Sequence, residues 1–338
     1  MDSDLNRMIL KGSPFEKISV QELAQQIQSR RKCRLKLPLW YKTEGIVYPP
    51  TLNIEQSSSE KAAQYKASLI DGDKMFELTG GFGVDAFFFS SKFDRVVYVE
   101  MNSELQEIVK HNLKVLNAEN VDCLLGDSIE YLKSIDEKFD WIYVDPSRRG
   151  GQEERVFRLE DCSPNLIENI ELILSKSYRV LLKLAPFMDI SKALSQLNNV
   201  GEVHVVAINN EVKELLFLIH GEKPEFTRLK AVNLINDRAD IVESTTGSVL
   251  EINYGPVGEY LYEPNAAIRK AGLYSSVATR YNLSKVHPNS HLFTSEELMD
   301  FPGRVFRVNK QIRYSPKRIK KELDLKKANI TTRNFHDS

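Results

Sequence analysis

Residues 77–85 read Glu77-Leu78-Thr79-Gly80-Gly81-Phe82-Gly83-Val84-Asp85. Met75-Phe76 precedes them and Ala86-Phe87-Phe88-Phe89 follows. An apolar run that meets three glycines and then a second apolar run predicts a strand, a tight turn and a helix. Glycines at such a turn let the backbone approach a ligand, and the first amides of the helix point at it. The spacing Gly81-x-Gly83-x-x-Ala86 fits a dinucleotide site nearly as well as any other nucleotide-like ligand. A turn that simply needs positive φ is the structural alternative.

The same rhythm continues outward. MFEL, RVVYVE, VDCLLGD, DWIYVD and YRVLLKL read as strands, separated by helical stretches such as SELQEIVKHNLKVLN and SIEYLKSI. VHVVAINN and KELLFLIH then follow with only a short link between them. Alternating strands and helices imply an α/β fold with a mostly parallel sheet covered on both faces. A short link cannot make a parallel crossover, so the last two strands are expected to be antiparallel. This gives seven strands with the last reversed.

Acids stand at the ends of consecutive strands: Glu77, Glu100, Asp127 and Asp145. The carboxyl ends of parallel strands line one crevice, so four acids there define a site. An acidic crevice suits a ligand with positive charge and opposes a pyrophosphate. Asp145 opens the sequence Asp145-Pro146-Ser147-Arg148-Arg149, which stops an apolar strand with a fixed turn and delivers an acid and two cations to one place.

The remaining sequence narrows the class. The chain has 338 residues, 42% hydrophobic and 28% charged, enough to bury a core in more than one domain. No apolar run approaches the roughly 18–20 residues of a membrane span, and Met1-Asp2-Ser3-Asp4 does not resemble a signal peptide. Cys33, Cys123 and Cys162 are scattered without a C-x-x-C pair, which argues against a disulfide framework or a zinc site and for a reducing, cytoplasmic setting. From Arg304 onward there are eleven Lys/Arg and three Asp/Glu, and Arg30-Arg31-Lys32-Cys33-Arg34-Leu35-Lys36 is a second basic cluster. Basic ends on an acidic body suit a polyanion such as RNA, with solvated helix faces as the alternative. Val20 to Lys32 has helical spacing. LPLWYKTEGIVYPP reads as extended, and Ser57-Ser58-Ser59-Glu60 reads as a helix start. Beyond Gly221, Thr227 to Asn236 and Ser248 to Tyr254 read as strands, and Asn265 as the start of a helix.

The acid-lined glycine turn, Gly126-Asp127, Asp145-Pro146 and the terminal strand pair together resemble a class I S-adenosylmethionine-dependent methyltransferase. EQSSSE, LTGGFGVDAFFFS, DPSRRGG, LEDCSPN, LLKLAP, YEPNAAIRKAGL, HLFTSE, FPGR and ANITTRNF narrow the resemblance to a bacterial family of such enzymes with a C-terminal THUMP-like domain. The resemblance implies S-adenosylmethionine as cofactor, whose ammonium and sulfonium account for the acids. Glu77, Thr79, Gly80, Gly81, Phe82, Gly83 and Asp85 are then expected around its methionine moiety. Glu100, with Met101, would hold the ribose, and Asp127, with Ser128, the adenine amine. Glu55 to Glu60 is similar to the segment that closes over the cofactor. Asp145, Pro146, Ser147 and Arg148 are expected at the transferred methyl, with Asp145 accepting a hydrogen bond or proton from the attacking nitrogen. Arg148 and Arg149 would grip a phosphate beside the target base.

The resulting expectation is a Rossmann-like methyltransferase sheet, an N-terminal helical segment and a small C-terminal α+β domain. The boundaries are 1–54 for the N-terminal segment, 55–221 for the methyltransferase domain, 222–307 for a ferredoxin-like α+β domain and 308–338 for a partial THUMP-like basic tail. The activity expected is methylation of a base nitrogen in rRNA or tRNA, without a metal or a membrane. An RNA-binding module with an inactive methyltransferase fold and a small-molecule or protein methyltransferase are the alternatives, and an NAD-dependent oxidoreductase is a more distant one.

Overall fold

A computed structural model describes residues 12–148, 159–248, 250–313, 315–322 and 327–331. They divide into two compact units, 12–201 with 215–225, and 202–214 with 226 onward.

The first unit is built on a sheet with the strand order β3-β2-β1-β4-β5-β7. The strands are β1 (Gly72–Glu77), β2 (Phe93–Glu100), β3 (Val121–Leu125), β4 (Phe139–Val144), β5 (Ser177–Leu184) and β7 (Glu211–His220). β1, β2, β3, β4 and β5 are parallel, while β7 runs antiparallel to β5 with Leu182 opposite Phe217. The reversal of the last strand is as the short link requires. Val96, Val97, Tyr98, Ile142, Tyr143, Val144, Leu181 and Leu182 are all buried, as central parallel strands covered on both faces demand.

Helices α1 (Val20–Lys36), α2 (Pro38–Lys42), α3 (Thr51–Gln56) and α4 (Glu60–Ala67) precede β1. α1 starts on a capping box between Ser19 and Glu22 and runs four residues beyond its expected end. The stretch from Leu37 is not extended throughout: Pro38 sits at the first helical position, where its missing N–H costs nothing, and begins α2. Trp40 of α2 packs edge-on against Phe87 at 5.0 Å. Between the strands lie α5 (Val84–Ser90), α6 (Ser103–Val115), α7 (Ser128–Ser134), α8 (Leu166–Ser175) and α9 (Ile190–Gln196). Leu105, Val109 and Leu113 recur at helical spacing along α6 and are buried. On the same helix His111 hydrogen-bonds Gly45 O at 2.8 Å, and Asn112 bonds both the N–H and the carbonyl of Val47. That pair therefore fastens the segment before the sheet.

In the second unit β6 (Val200–Ile208) pairs in parallel with β8 (Arg228–Ile235), and β8 is antiparallel to β9 (Arg238–Thr245). Here the structure corrects the sequence reading. Among the described residues of 248–254 only Tyr254 makes a β-bridge, to Lys285; the antiparallel partner of β8 is the RADIVEST segment, returned by a turn at Asn236 with φ +51°. A second, four-stranded sheet runs in the order Ser284–Lys285, β11 (Phe293–Ser295), β10 (Tyr260–Pro264) and β12 (Gly303–Arg307). α10 (Ala266–Ala271), begun by Asn265, and α11 (Tyr274–Arg280) follow β10, and α12 (Pro316–Glu322) lies in the basic tail. Among the described residues no helix is long and apolar enough to cross a membrane, and no group of His, Cys, Asp and Glu could hold a metal ion.

Candidate active site

The turn after β1 is shaped by what its glycines lack. Gly80 donates to Val99 O at 3.0 Å, and a Cβ there would lie 2.6 Å from the Tyr98 ring and 2.7 Å from Val99 O. Gly83 caps α5 with φ +69°, and a Cβ would lie 2.5 Å from Val109 Cγ1. Gly81 differs: its φ is +62°, yet a Cβ would meet nothing within 4 Å. Gly80 and Gly83 therefore serve close packing, whereas Gly81 presents bare backbone to open space.

That backbone is tied to the next strand. Gly81 N–H donates to Glu100 Oε2 at 2.9 Å, Asn102 N–H donates to Glu100 Oε1 at 2.8 Å, and Tyr98 OH donates to Gly81 O at 2.6 Å. Glu100 thus receives one backbone amide on each oxygen.

Beneath the turn lies a buried charge cluster. Glu77 is buried, and its Oε2 has no hydrogen-bond partner among the described residues. Burial, then the like charges of Asp85 and Asp145, push its carboxyl well above the usual range; Lys66 opposes them and Glu100 adds to them. Asp85 Oδ2 accepts from Ser58 Oγ at 2.7 Å and from Tyr143 OH at 3.0 Å. Lys66 Nζ lies 3.2 Å from Asp85 Oδ1 and donates to Ser58 Oγ at 2.9 Å. The Lys66 side chain is 0% exposed, so its charge is matched inside the protein. The Ser57-Ser58-Ser59 stretch accordingly has three distinct contacts: Ser57 Oγ donates to Ile54 O, Ser58 joins the charge cluster, and Ser59 caps α4.

Asp145 stands at the end of β4. Its N–H donates to Thr79 Oγ1 at 2.7 Å, and its Oδ2 accepts from Lys183 Nζ, one residue before the end of β5. Pro146 is buried behind it. Ser147 and Arg148 pair through their backbones with Ser163 and Cys162 in a short antiparallel ladder. Arg149, Glu153 and Glu154 lie outside the described residues, and Arg148 is described only by its backbone. Burial raises the Cys162 thiol to about 11, the state of a packing cysteine rather than a nucleophile.

Elsewhere on this edge, Asp127 Oδ1 accepts from Ile129 N–H at 2.8 Å and Glu130 N–H at 3.2 Å, capping α7. Ser128 is buried behind it, Met101 is exposed, and Phe82 is buried with its ring centroid 6.5 Å from Trp40. Asp85 on α5 and the strand-end acids Glu100 and Asp145 are all near enough to act on Glu77. Sequence reasoning placed Ser58 in the segment over the cofactor but missed Lys66, Tyr143 and Lys183 as members of the site. The signal was a lysine among Ala62, Ala63 and Ala67 on the buried face of α4, and another inside the apolar run LLKL.

Comparison with known proteins gives the family. Residues 60–182 match the family model described as conserved hypothetical protein 95, residues 260–302 a ferredoxin-like domain, and residues 303–338 a THUMP domain-like model. The crystal structure of a candidate methyltransferase from Porphyromonas gingivalis W83 superimposes with a TM-score of 0.84 at 35% identity, covering 94% of this chain and 81% of that one. An uncharacterized S-adenosylmethionine-dependent methyltransferase of Mycobacterium tuberculosis is 22% identical over 271 residues, 80% of this chain and 72% of its own. An uncharacterized RNA methyltransferase of Clostridium tetani is 31% identical over 110 residues, 32% of this chain and 24% of its own. The fold and these matches define a class I S-adenosylmethionine-dependent methyltransferase. Within that class, the chain belongs to the family that carries a C-terminal THUMP-like domain and includes the Porphyromonas gingivalis protein.

Proposed function

We propose that this protein methylates a base nitrogen in rRNA or tRNA, with Asp145 at the acceptor and the β1–α5 turn at the cofactor. The observation that carries the cofactor assignment is the orphaned Oε2 of buried Glu77 beside the open backbone of Gly81. A buried carboxylate oxygen without a donor fits a ligand that brings an ammonium. S-adenosylmethionine supplies that ammonium and, on its sulfonium, an electrophilic methyl group.

Around it, Thr79 and the Gly80 to Gly83 turn, with Phe82, Asp85 and Glu77, would hold the methionine end. Glu100, beside Met101, offers the ribose hydroxyls a carboxylate already fixed by two amides. Asp127, with Ser128 behind it, would accept from the adenine amine. Asp145 is positioned through both its amide and its carboxylate, and its hydrogen-bond acceptors would orient the attacking nitrogen. Orientation and exclusion of water are the main catalytic tasks in such a displacement. Pro146 would fix the turn, and Ser147 and Arg148, paired with Ser163 and Cys162, would lie beside the acceptor.

RNA is supported by the THUMP-like match, by the Clostridium tetani relative and by the basic residues from Arg304 onward. The test is incubation of the protein and labelled S-adenosylmethionine with rRNA and tRNA from cells lacking its gene, followed by nucleoside mass spectrometry. A new N-methylated base is the expected product. Absence of methyl incorporation into every RNA pool refutes the reading.

A further inference from the structure

Glu77 sits among groups of its own sign. Asp85 faces it from α5, Asp145 from the end of β4 and Glu100 from the end of β2. The cations nearby are already engaged: Lys66 with Asp85 and Ser58, and Lys183 with Asp145. The neighbouring phenols are engaged too, Tyr98 with Gly81 O and Tyr143 with Asp85. Glu77 Oε2 is left buried with no donor among the described residues. An ionised carboxylate in such a place is unfavourable, whereas a protonated one needs far less from its surroundings.

We infer that Glu77 holds a proton while the site is empty and exchanges it for the ammonium of the incoming ligand, so that cofactor binding releases a proton to solvent. The inference rests on the cofactor assignment proposed above. The balance is simple: the carboxyl O–H bond breaks, the proton leaves to water, and the carboxylate gains the ligand's N–H donors and positive charge. Burial and the flanking acids, which raise the Glu77 carboxyl, act in the direction the exchange requires. The exchange also makes Glu77 a specificity residue, because a neutral ligand gives the carboxylate no charge in return for its proton. Lys66 takes part indirectly: held by Asp85, it leaves Glu77 for the ligand.

The test is isothermal titration of the full chain with S-adenosylhomocysteine, which keeps the ammonium but transfers nothing. Titrations in buffers of different ionisation enthalpy count the protons. The expected result at neutral pH is about one proton released per ligand, with affinity rising up to about tenfold per pH unit while the ligand's ammonium stays charged. Glu77→Gln keeps the shape and should bind more weakly with no proton released. Asp85→Asn, which returns Lys66's charge to Glu77, should reduce the release. Binding to the wild-type protein without proton release overturns the inference and leaves the cofactor assignment standing. No binding at all overturns both. Undiminished release from a folded Glu77→Gln variant assigns the proton to another group and also overturns it.

Discussion

Lys183 Nζ and Asp145 Oδ2 are joined in a charge-assisted hydrogen bond between neighbouring parallel strands, while Thr79 Oγ1 holds the Asp145 amide. The Lys183 side chain is only 13% exposed, so the pair is shielded and its direction fixed. Lys183→Met should lower methyl transfer by roughly 100-fold through misplacement of Asp145. Cofactor affinity should change little, and Lys183→Arg should restore part of the rate. Single-turnover rates set beside binding constants check this. Equal losses in rate and affinity would show that the lysine only supports the fold.

Gly81 allows stability and binding to be separated. Alanine there meets no atom within 4 Å but must adopt φ +62°, so the fold should lose only about 1 kcal/mol. The methyl group would occupy the space where the ligand approaches, so cofactor affinity should fall by more than roughly tenfold. Thermal melting and calorimetry on one preparation report both quantities. Unchanged affinity would move the ligand away from this turn.

The raised carboxyl of Glu77 gives the ligand-free protein a definite pH dependence. A folded-state value above the unfolded one contributes stability at acid pH, and that contribution is lost as pH rises through the folded value. Glu77→Gln should therefore melt at nearly the same temperature as wild type near pH 4. At pH 8 it should be more stable, by about 4 kcal/mol, the linkage of a carboxyl that stays protonated to neutral pH in the fold. A wild-type protein that gains stability relative to the variant on going to pH 8 would contradict this.

Glu202 shows the opposite sign in the second unit. His204 Nε2 at 3.0 Å and Lys230 Nζ at 2.6 Å hold its carboxyl down to about 2. Its contribution is present above the ordinary carboxylate range and is lost as pH falls through about 2. Glu202→Gln should cost about 1–2 kcal/mol at neutral pH and almost nothing at the acid end. Urea melts at several pH values give the comparison.

Cys162 backs the DPSR ladder but its thiol is buried and raised to about 11. Cys162→Ala should retain methyl transfer within a few-fold, and the folded wild-type thiol should alkylate slowly. A total loss of transfer in a well-folded variant would bring covalent chemistry at this cysteine back into consideration.

The turn after β1 was legible because its chemistry is local: glycines follow an apolar strand, and an acid ends that strand. The other strand-end acids were legible from the periodicity that set the parallel sheet. The counter-ions were not. Lys66 and Lys183 are separated from Asp85 and Asp145 by 19 and 38 positions, and no local pattern states which buried lysine meets which acid. The β8–β9 hairpin was misread for a different reason. RADIVEST carries the exposed side chains of Arg238, Ala239, Ile241 and Glu243 and looks solvated, whereas Leu250 and Ile252 lent the following loop a strand-like alternation. Pairing with β8 decided between them, as packing against a neighbour commonly overrides strand propensity.

The carboxylate of Glu100 cannot swing freely, since each oxygen already accepts a backbone amide, one from Gly81 and one from Asn102. Its rotamer freedom is given up when the chain folds. A diol that docks on it meets an acceptor with little left to immobilise, so the ordering cost of that contact falls on the ligand alone. Relaxation measurements on the loop that joins β2 to α6 should therefore find it as rigid before the ligand arrives as after.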